Sequence, residues 1–283
     1  MCKIFAIIVA LLIHTFSIHA DDNIEFVHKD IQVYEHAKYG NLQDILRRGE
    51  LVVCALERDY NEFFQMKVND GYVGEDIRFA TALGKALGIK VVYKMLYKNQ
   101  NDIVDAIANG KGDIGIAKIS YTIQRSRKVS YSNPYVNSRK MIMVNRLATA
   151  VKQNSLNRIL NNPNTKIAVM KNTSYESFAK YLFKNSKILS ETDWENGAIK
   201  KLISGKVTAI MRDELRIKPM IMRNPKILIN FLPIILKNTS DSISAISNIS
   251  EQSLIQFVNK FLENEYKKLS ISEIIDIYKG YIR

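Results

Sequence analysis

Arg125 follows Ser120 and Thr122 in the run Gly110-Lys111-Gly112-Asp113-Ile114-Gly115-Ile116-Ala117-Lys118-Ile119-Ser120-Tyr121-Thr122-Ile123-Gln124-Arg125. The order of residue types is that of a helix end, a short buried strand and a polar loop. That loop delivers hydroxyls and one guanidinium to the same place. A guanidinium beside hydroxyl and backbone donors can hold a carboxylate through two parallel hydrogen bonds. The hydroxyls suit ordinary turn formation equally well, so residue types alone leave both roles open for Ser120 and Thr122. A second polar segment, Tyr131-Ser132-Asn133-Pro134-Tyr135, closes the stretch.

Other chemistries lack material. All four histidines (His14, His19, His28 and His36) precede the body of the chain. A Ser-His-Asp or Cys-His site, or a Cys/His metal cage, therefore has nothing to work with, and no cofactor or metal is expected. Cys54 stands in the apolar run Leu51-Val52-Val53-Cys54-Ala55-Leu56 and reads as a buried strand residue. The formal net charge is +13, yet the lysines are scattered among Asn and Ile, with no basic stripe and no interleaved aromatics. That pattern predicts a solvated basic surface and no nucleic-acid partner.

Residues 1–20 stand apart. Lys3 precedes the apolar run Ile4-Phe5-Ala6-Ile7-Ile8-Val9-Ala10-Leu11-Leu12-Ile13, and Ser17-Ile18-His19-Ala20 supplies small residues before a cut. This is the pattern of a cleaved secretory signal peptide. The run is shorter than the ~20 residues that a spanning helix needs. A soluble periplasmic protein is expected.

Elements must position the loop. Residues 21–40 are weakly patterned and form an N-terminal extension of no assigned role. From Leu42 onward strands and helices alternate: strand 51–56, helix 76–87 ended by Gly88, strand 89–95, helix 101–109 ended by Gly110, and strand 114–116. This β-α-β-α-β order predicts a largely parallel sheet covered on both faces. A second set follows, with strands at 166–170 and 207–211 and an apolar stretch at 227–236. Thr173 and Glu176 have the spacing of a capping box. Two closing helices carry Leu254, Ile255, Val258, Phe261 and Leu262, then Ile274, Ile275 and Tyr278.

The Gly110–Arg125 run and the Tyr131–Tyr135 segment together resemble the signature of family 3 of the bacterial extracellular solute-binding proteins. The resemblance implies a two-lobe α/β fold with a ligand cleft between the lobes. Its lobes would be 41–142 plus 237–283, and 143–236. It makes Arg125 the carboxylate-binding arginine, with Ser120 and Thr122 as hydroxyl donors to the same group. Within Val207-Thr208-Ala209-Ile210-Met211-Arg212-Asp213, it makes Asp213 the partner of a ligand ammonium. Burying a zwitterion requires a countercharge for each end. Ser174 takes the position of a contact at a helix N-terminus, and Tyr60 that of an aromatic packing on the ligand. Lys118 replaces a small residue, Glu75 and Gln100 replace aromatics, and Thr208 replaces an aspartate. Lys118 facing the ligand would favour an acidic solute; at the cleft rim it would have no such effect.

The implied protein is a monomer that captures an amino acid, or a related small anionic or zwitterionic solute, for an ABC permease in the inner membrane. Alternatives on the same fold are a dehydratase-like enzyme, with a carboxylate such as Glu62 or Glu75 as acid, and a sensor or wall-binding protein independent of transport.

Overall fold

The computed structural model describes residues 23–27, 39–57, 63–147 and 156–281. The expected leader, Tyr60, Glu62 and most of the 21–40 extension lie outside the described residues. Two sheets organise the rest. The first has six strands in the order β1-β5-β2-β6-β13-β7. They are Ile24–Val27, Lys90–Tyr97, Glu50–Leu56, Ile114–Gly115, Ile246–Asn248 and Val129–Tyr131 in that order. The pairs β1/β5, β5/β2 and β2/β6 are parallel, while β13 pairs antiparallel with both β6 and β7. The second has five strands in the order β10-β9-β11-β8-β12. These are Lys187–Glu191, Lys166–Met170, Ala209–Asp213, Val136–Asn145 and Phe231–Ile243. Here β10/β9 and β9/β11 are parallel, whereas β8 is antiparallel to β11 and β12.

Both faces of each sheet are covered, which explains why the strands read as apolar runs and not as alternating patterns. Along β2, Leu51, Val53 and Ala55 join one core cluster while Cys54 and Leu56 join the cluster on the opposite face. Along β8, Met141 and Met143 face one cluster and Ile142 and Val144 the other. Cys54 is buried with no exposure, as its apolar run predicts.

Three helices flank the first sheet: α1 (Leu42–Arg48), α2 (Glu75–Leu87) and α3 (Gln100–Ala108). A fourth, α4 (Ile123–Ser126), is a single turn that carries Arg125. Asp113 anchors the start of the Gly112–Arg125 stretch: its carboxylate accepts from Gly40 N at 2.8 Å and Val52 N at 2.7 Å and pairs with Arg48. The closing helices Gln252–Asn264 and Ile271–Tyr278 return to the first core and bury the five and three apolar residues that the periodicity identifies.

Three differences from the sequence reading have physical causes. Part of the weakly patterned extension is ordered as β1, an edge strand on β5; its four residues are too few for a periodicity to show. The segments linking the sheets are β8 and β12, a long antiparallel ribbon whose register shifts between Ile235 and Ser240. The expected Thr173–Glu176 capping box does not form. The Thr173 hydroxyl instead donates to Met170 O at 2.7 Å, and Glu176 accepts from Asn172 N. A capping box is present at Ser270 and Glu273, ahead of the last α-helix.

A hairpin of β3 (Met66–Val68) and β4 (Gly71–Val73) leads into α2 through Gly74. Gly74 has φ 134°, and a Cβ there would lie 2.3 Å from the Phe64 carbonyl oxygen. That close approach lets Glu75 N and Asp76 N donate to the carbonyls of Phe63 and Phe64. Gly74→Ala is expected to destabilise the protein by about 2–4 kcal/mol, through strain and displaced backbone. Urea denaturation followed by circular dichroism measures it.

Candidate functional site

One cavity lies where the two sheets meet. Its walls are Gln100, Lys118, Ser120 and Arg125 from the first lobe and Thr173, Ser174, Tyr175 and Arg212 from the second. It encloses about 20 Å³, room for about one water molecule.

Arg125 is held from two sides. Its Nε donates to Asn101 Oδ1 at 3.0 Å and its Nη1 to the Ser120 carbonyl at 3.1 Å. Thr122 caps α4, its hydroxyl oxygen accepting from Arg125 N at 3.2 Å. Thr122 thus positions the arginine through the backbone and is not among the cavity-lining residues. Tyr131 donates its hydroxyl to the Ser120 carbonyl at 3.3 Å. Burial lowers the Arg125 pKa from its ordinary value, and burial likewise pushes the Tyr131 hydroxyl up to about 12.

Lys118 has left-handed backbone, φ 49°, a conformation that disfavours a side chain with a Cβ. Its ammonium crosses between the lobes to Asp213 Oδ2 at 3.0 Å and lies 5.1 Å from the centre of the Phe64 ring. Both partners of the ion pair are buried, Lys118 at 8% exposure and Asp213 at 0%. Burial acts to raise the Asp213 pKa. The charges of Lys118 and Arg212, with hydrogen bonds from Lys118 and Tyr175, outweigh it and hold the carboxyl below its ordinary value.

Tyr175, at the start of the helix Ser174–Leu182, places its hydroxyl between two carboxylates. It contacts Asp213 Oδ2 at 3.1 Å and also Asp241 Oδ2. A phenol has one proton to donate, so it serves one carboxylate at a time. Asp241 lies on β12, and Lys140 on β8 stands 3.8 Å from it while donating to Ser240 O at 2.7 Å.

The structure therefore gathers Lys118, Ser120, Arg125 and Ser174 around one cavity, with Asp213 bonded to two of the residues that line or enter it. Tyr60 lies outside the described residues. Sequence reasoning missed Arg212, Tyr175 and Asp241. Arg212 stood beside Asp213 in the quoted run, and a cation next to a carboxylate at a strand end was the available signal. Gln100 lines the cavity and donates to Ala117 O at 3.3 Å. Glu75 is held by Arg78 and by the Tyr266 hydroxyl. Among the described residues, no group of three or more His, Cys, Asp or Glu could hold a metal ion, and no helix is long and apolar enough to cross a membrane.

The pattern of bacterial extracellular solute-binding proteins, family 3, matches residues 52–281. The chain belongs to this family. Among relatives of this family 3 solute-binding protein, the cyclohexadienyl dehydratase of Pseudomonas aeruginosa is 26% identical over 192 residues, covering 68% of this chain and 69% of the relative. A solved structure of the ancestral amino acid-binding protein AncCDT-1, a precursor of cyclohexadienyl dehydratase, superposes with TM-score 0.63 at 27% identity. That match covers 84% of this chain and 98% of the other. The amino acid ABC transporter substrate-binding protein AbpA of Streptococcus pneumoniae, bound to L-arginine, gives TM-score 0.66 at 24% identity, covering 85% and 99%. The two-lobe α/β architecture expected from the resemblance is thus the fold of this solute-binding protein.

Behind the site, Asp76 is buried and accepts from the Tyr135 hydroxyl on Oδ1 at 2.5 Å, while Oδ2 has no partner among the described residues. Burial, against the Tyr135 hydrogen bond and with help from Glu75, pushes its pKa up to about 7. The folded state keeps a proton that the unfolded chain releases near pH 4. This group's contribution to stability is therefore full below pH 4 and is lost as pH rises towards 7. Between pH 5 and pH 8 the loss should be roughly 2–3 kcal/mol. Asp76→Asn should remove that part of the pH dependence, as read from urea melts at the two pH values.

Proposed function

We propose that this solute-binding protein is the periplasmic, monomeric capture component of an ABC importer. Its solute would be an amino acid or a related small zwitterionic or anionic molecule. The observation that carries the reading is the convergence of Arg125 and Ser120 from one lobe with Ser174 from the other around one interlobe cavity, with Asp213 bonded to the cavity-lining Lys118. Arg125, with Ser120 and with Thr122 fixing its turn, takes a carboxylate. Ser174 and the helix start behind it offer further donors to an anion. Asp213 supplies the negative charge of the second lobe, and Lys118 tunes it. Residues 41–142 plus 237–283 and residues 143–236 act as the two bodies, and the β8/β12 ribbon is the hinge. Ligand contacts to both bodies favour closure. Residues 1–20 direct export and are removed. The amino-acid class draws support from AncCDT-1 and AbpA, which are described as binding amino acids.

A solute screen by thermal shift tests the reading. A true ligand at 100 times its dissociation constant adds about 2.7 kcal/mol of stability. Arg125→Met should then lose roughly 2–5 kcal/mol of binding free energy with its fold retained. A melting temperature that stays flat across amino acids and small organic acids would sink the proposal.

The Pseudomonas dehydratase relative favours one second reading, an enzyme on this scaffold. Following candidate solutes by proton NMR separates the two, since a binding protein leaves them unchanged. Glu75, one carboxylate named for the acid role, is already engaged by Arg78 and Tyr266.

A further inference from the structure

The interlobe site holds more cation than its own carboxylates can neutralise. Lys118 is paired with Asp213, and Lys140 stands beside Asp241. Arg125 and Arg212 remain. The hydrogen-bond acceptors that Arg125 meets are neutral, the Asn101 amide oxygen and the Ser120 carbonyl. Arg212 is 6% exposed and lines the cavity, yet its Nε and Nη1 donate to no acceptor among the described residues. Asp213 Oδ2 is 4.0 Å from the Arg212 Nε, beyond hydrogen-bond reach. The guanidinium is steadied instead by two rings, Tyr175 at 5.3 Å and Trp194 at 5.7 Å from its central carbon. Rings hold such a cation in place but leave its in-plane N–H groups wanting acceptors. Two guanidiniums on one cavity, neither hydrogen-bonded to an acid, call for two anionic groups.

The place of an ammonium is meanwhile filled from within. Asp213 Oδ2 accepts from Lys118 Nζ at 3.0 Å and contacts the Tyr175 hydroxyl at 3.1 Å. Asp213 Oδ1 has no hydrogen bond among the described residues. A second ammonium brought to it would lie beside the Lys118 and Arg212 charges, where like-charge repulsion opposes it.

Resting on the solute-binding reading above, we propose that the solute is a small dicarboxylate without an ammonium group, and that Arg212 selects it by pairing with the second carboxylate. Arg125 and Ser120 hold the first. Lys118 stays on Asp213 in the bound state and acts as a built-in substitute for the ligand's ammonium. Cationic solutes are excluded by the same charge count.

Isothermal titration of the purified protein with succinate, 2-oxoglutarate, aspartate, glutamate and arginine tests this. Succinate or 2-oxoglutarate should bind at least tenfold more tightly than its amino counterpart, and arginine should not bind. Arg212→Gln should weaken the dicarboxylate at least tenfold. Arg212→Lys keeps the charge but not the fork; it should give a smaller loss and serves if the Gln variant fails to fold. Lys118→Gly, whose backbone suits the left-handed position, frees Asp213 and should reverse the preference in favour of the amino acid. If the unaltered protein prefers arginine or an amino counterpart, and Arg125→Met abolishes that binding, the dicarboxylate inference is overturned while the solute-binding reading stands. If none of these solutes nor a broad amino-acid set binds, both fall.

Discussion

Two opposite charges taken out of water are stable together only when distance, orientation and remaining hydrogen bonds offset the hydration each has lost. Lys118 and Asp213 meet that condition from opposite lobes, and the surrounding geometry follows from it. Left-handed backbone at position 118 brings the lysine side chain to the lobe interface. Phe64 lies within reach of the ammonium, and the Tyr175 hydroxyl shares the carboxylate oxygen that accepts from it. Removing Lys118 would leave Asp213 with Arg212, 4.0 Å away, as its remaining countercharge, and removing Asp213 would leave Lys118 without its carboxylate.

The scaffold frames this contact with two doubly covered sheets joined by a simple connection. Each sheet is buried on both faces, so its strands resist local bending. The lobes communicate through β8 and β12, which lie side by side in one sheet. Polar residues on this ribbon, Lys140 and Asp241, reach the network around Tyr175. The helix Glu214–Arg223 also sends Leu215 into the core of the first lobe. Any movement of one lobe relative to the other would break and remake contacts near the cavity.

Much of this was legible in the residues. Apolar runs at 51–56 and 166–170 marked strands because double burial removes alternation, and Gly88 and Gly110 marked helix ends because left-handed backbone follows there. Arg125 stood out through the resemblance of its run to the family 3 signature; alone it reads as a surface arginine ahead of Arg127 and Lys128. Interactions between distant segments were not legible. Tyr175 and Asp241 are 66 residues apart, and nothing local to either announces a shared hydrogen bond. Arg212 was hidden because the two rings that cover it, Tyr175 and Trp194, come from other segments of the chain. Thr173 illustrates how spacing alone falls short: Glu176 N donates to the Thr173 carbonyl and not to its hydroxyl, which points to the Met170 carbonyl.

The strand order of the first sheet also bears on how the protein is made. β7 is attached to that sheet through β13 alone, and β13 lies more than a hundred residues further along the chain. Until Ile246–Asn248 have left the ribosome, the first half of the polypeptide lacks the strand that joins β6 to β7. At ordinary elongation rates that delay is on the order of ten seconds. The first sheet therefore stays incomplete long after its first core-forming segments emerge. Such a chain stays threadable through a narrow pore, at the expense of prolonged exposure to proteases and to premature self-association.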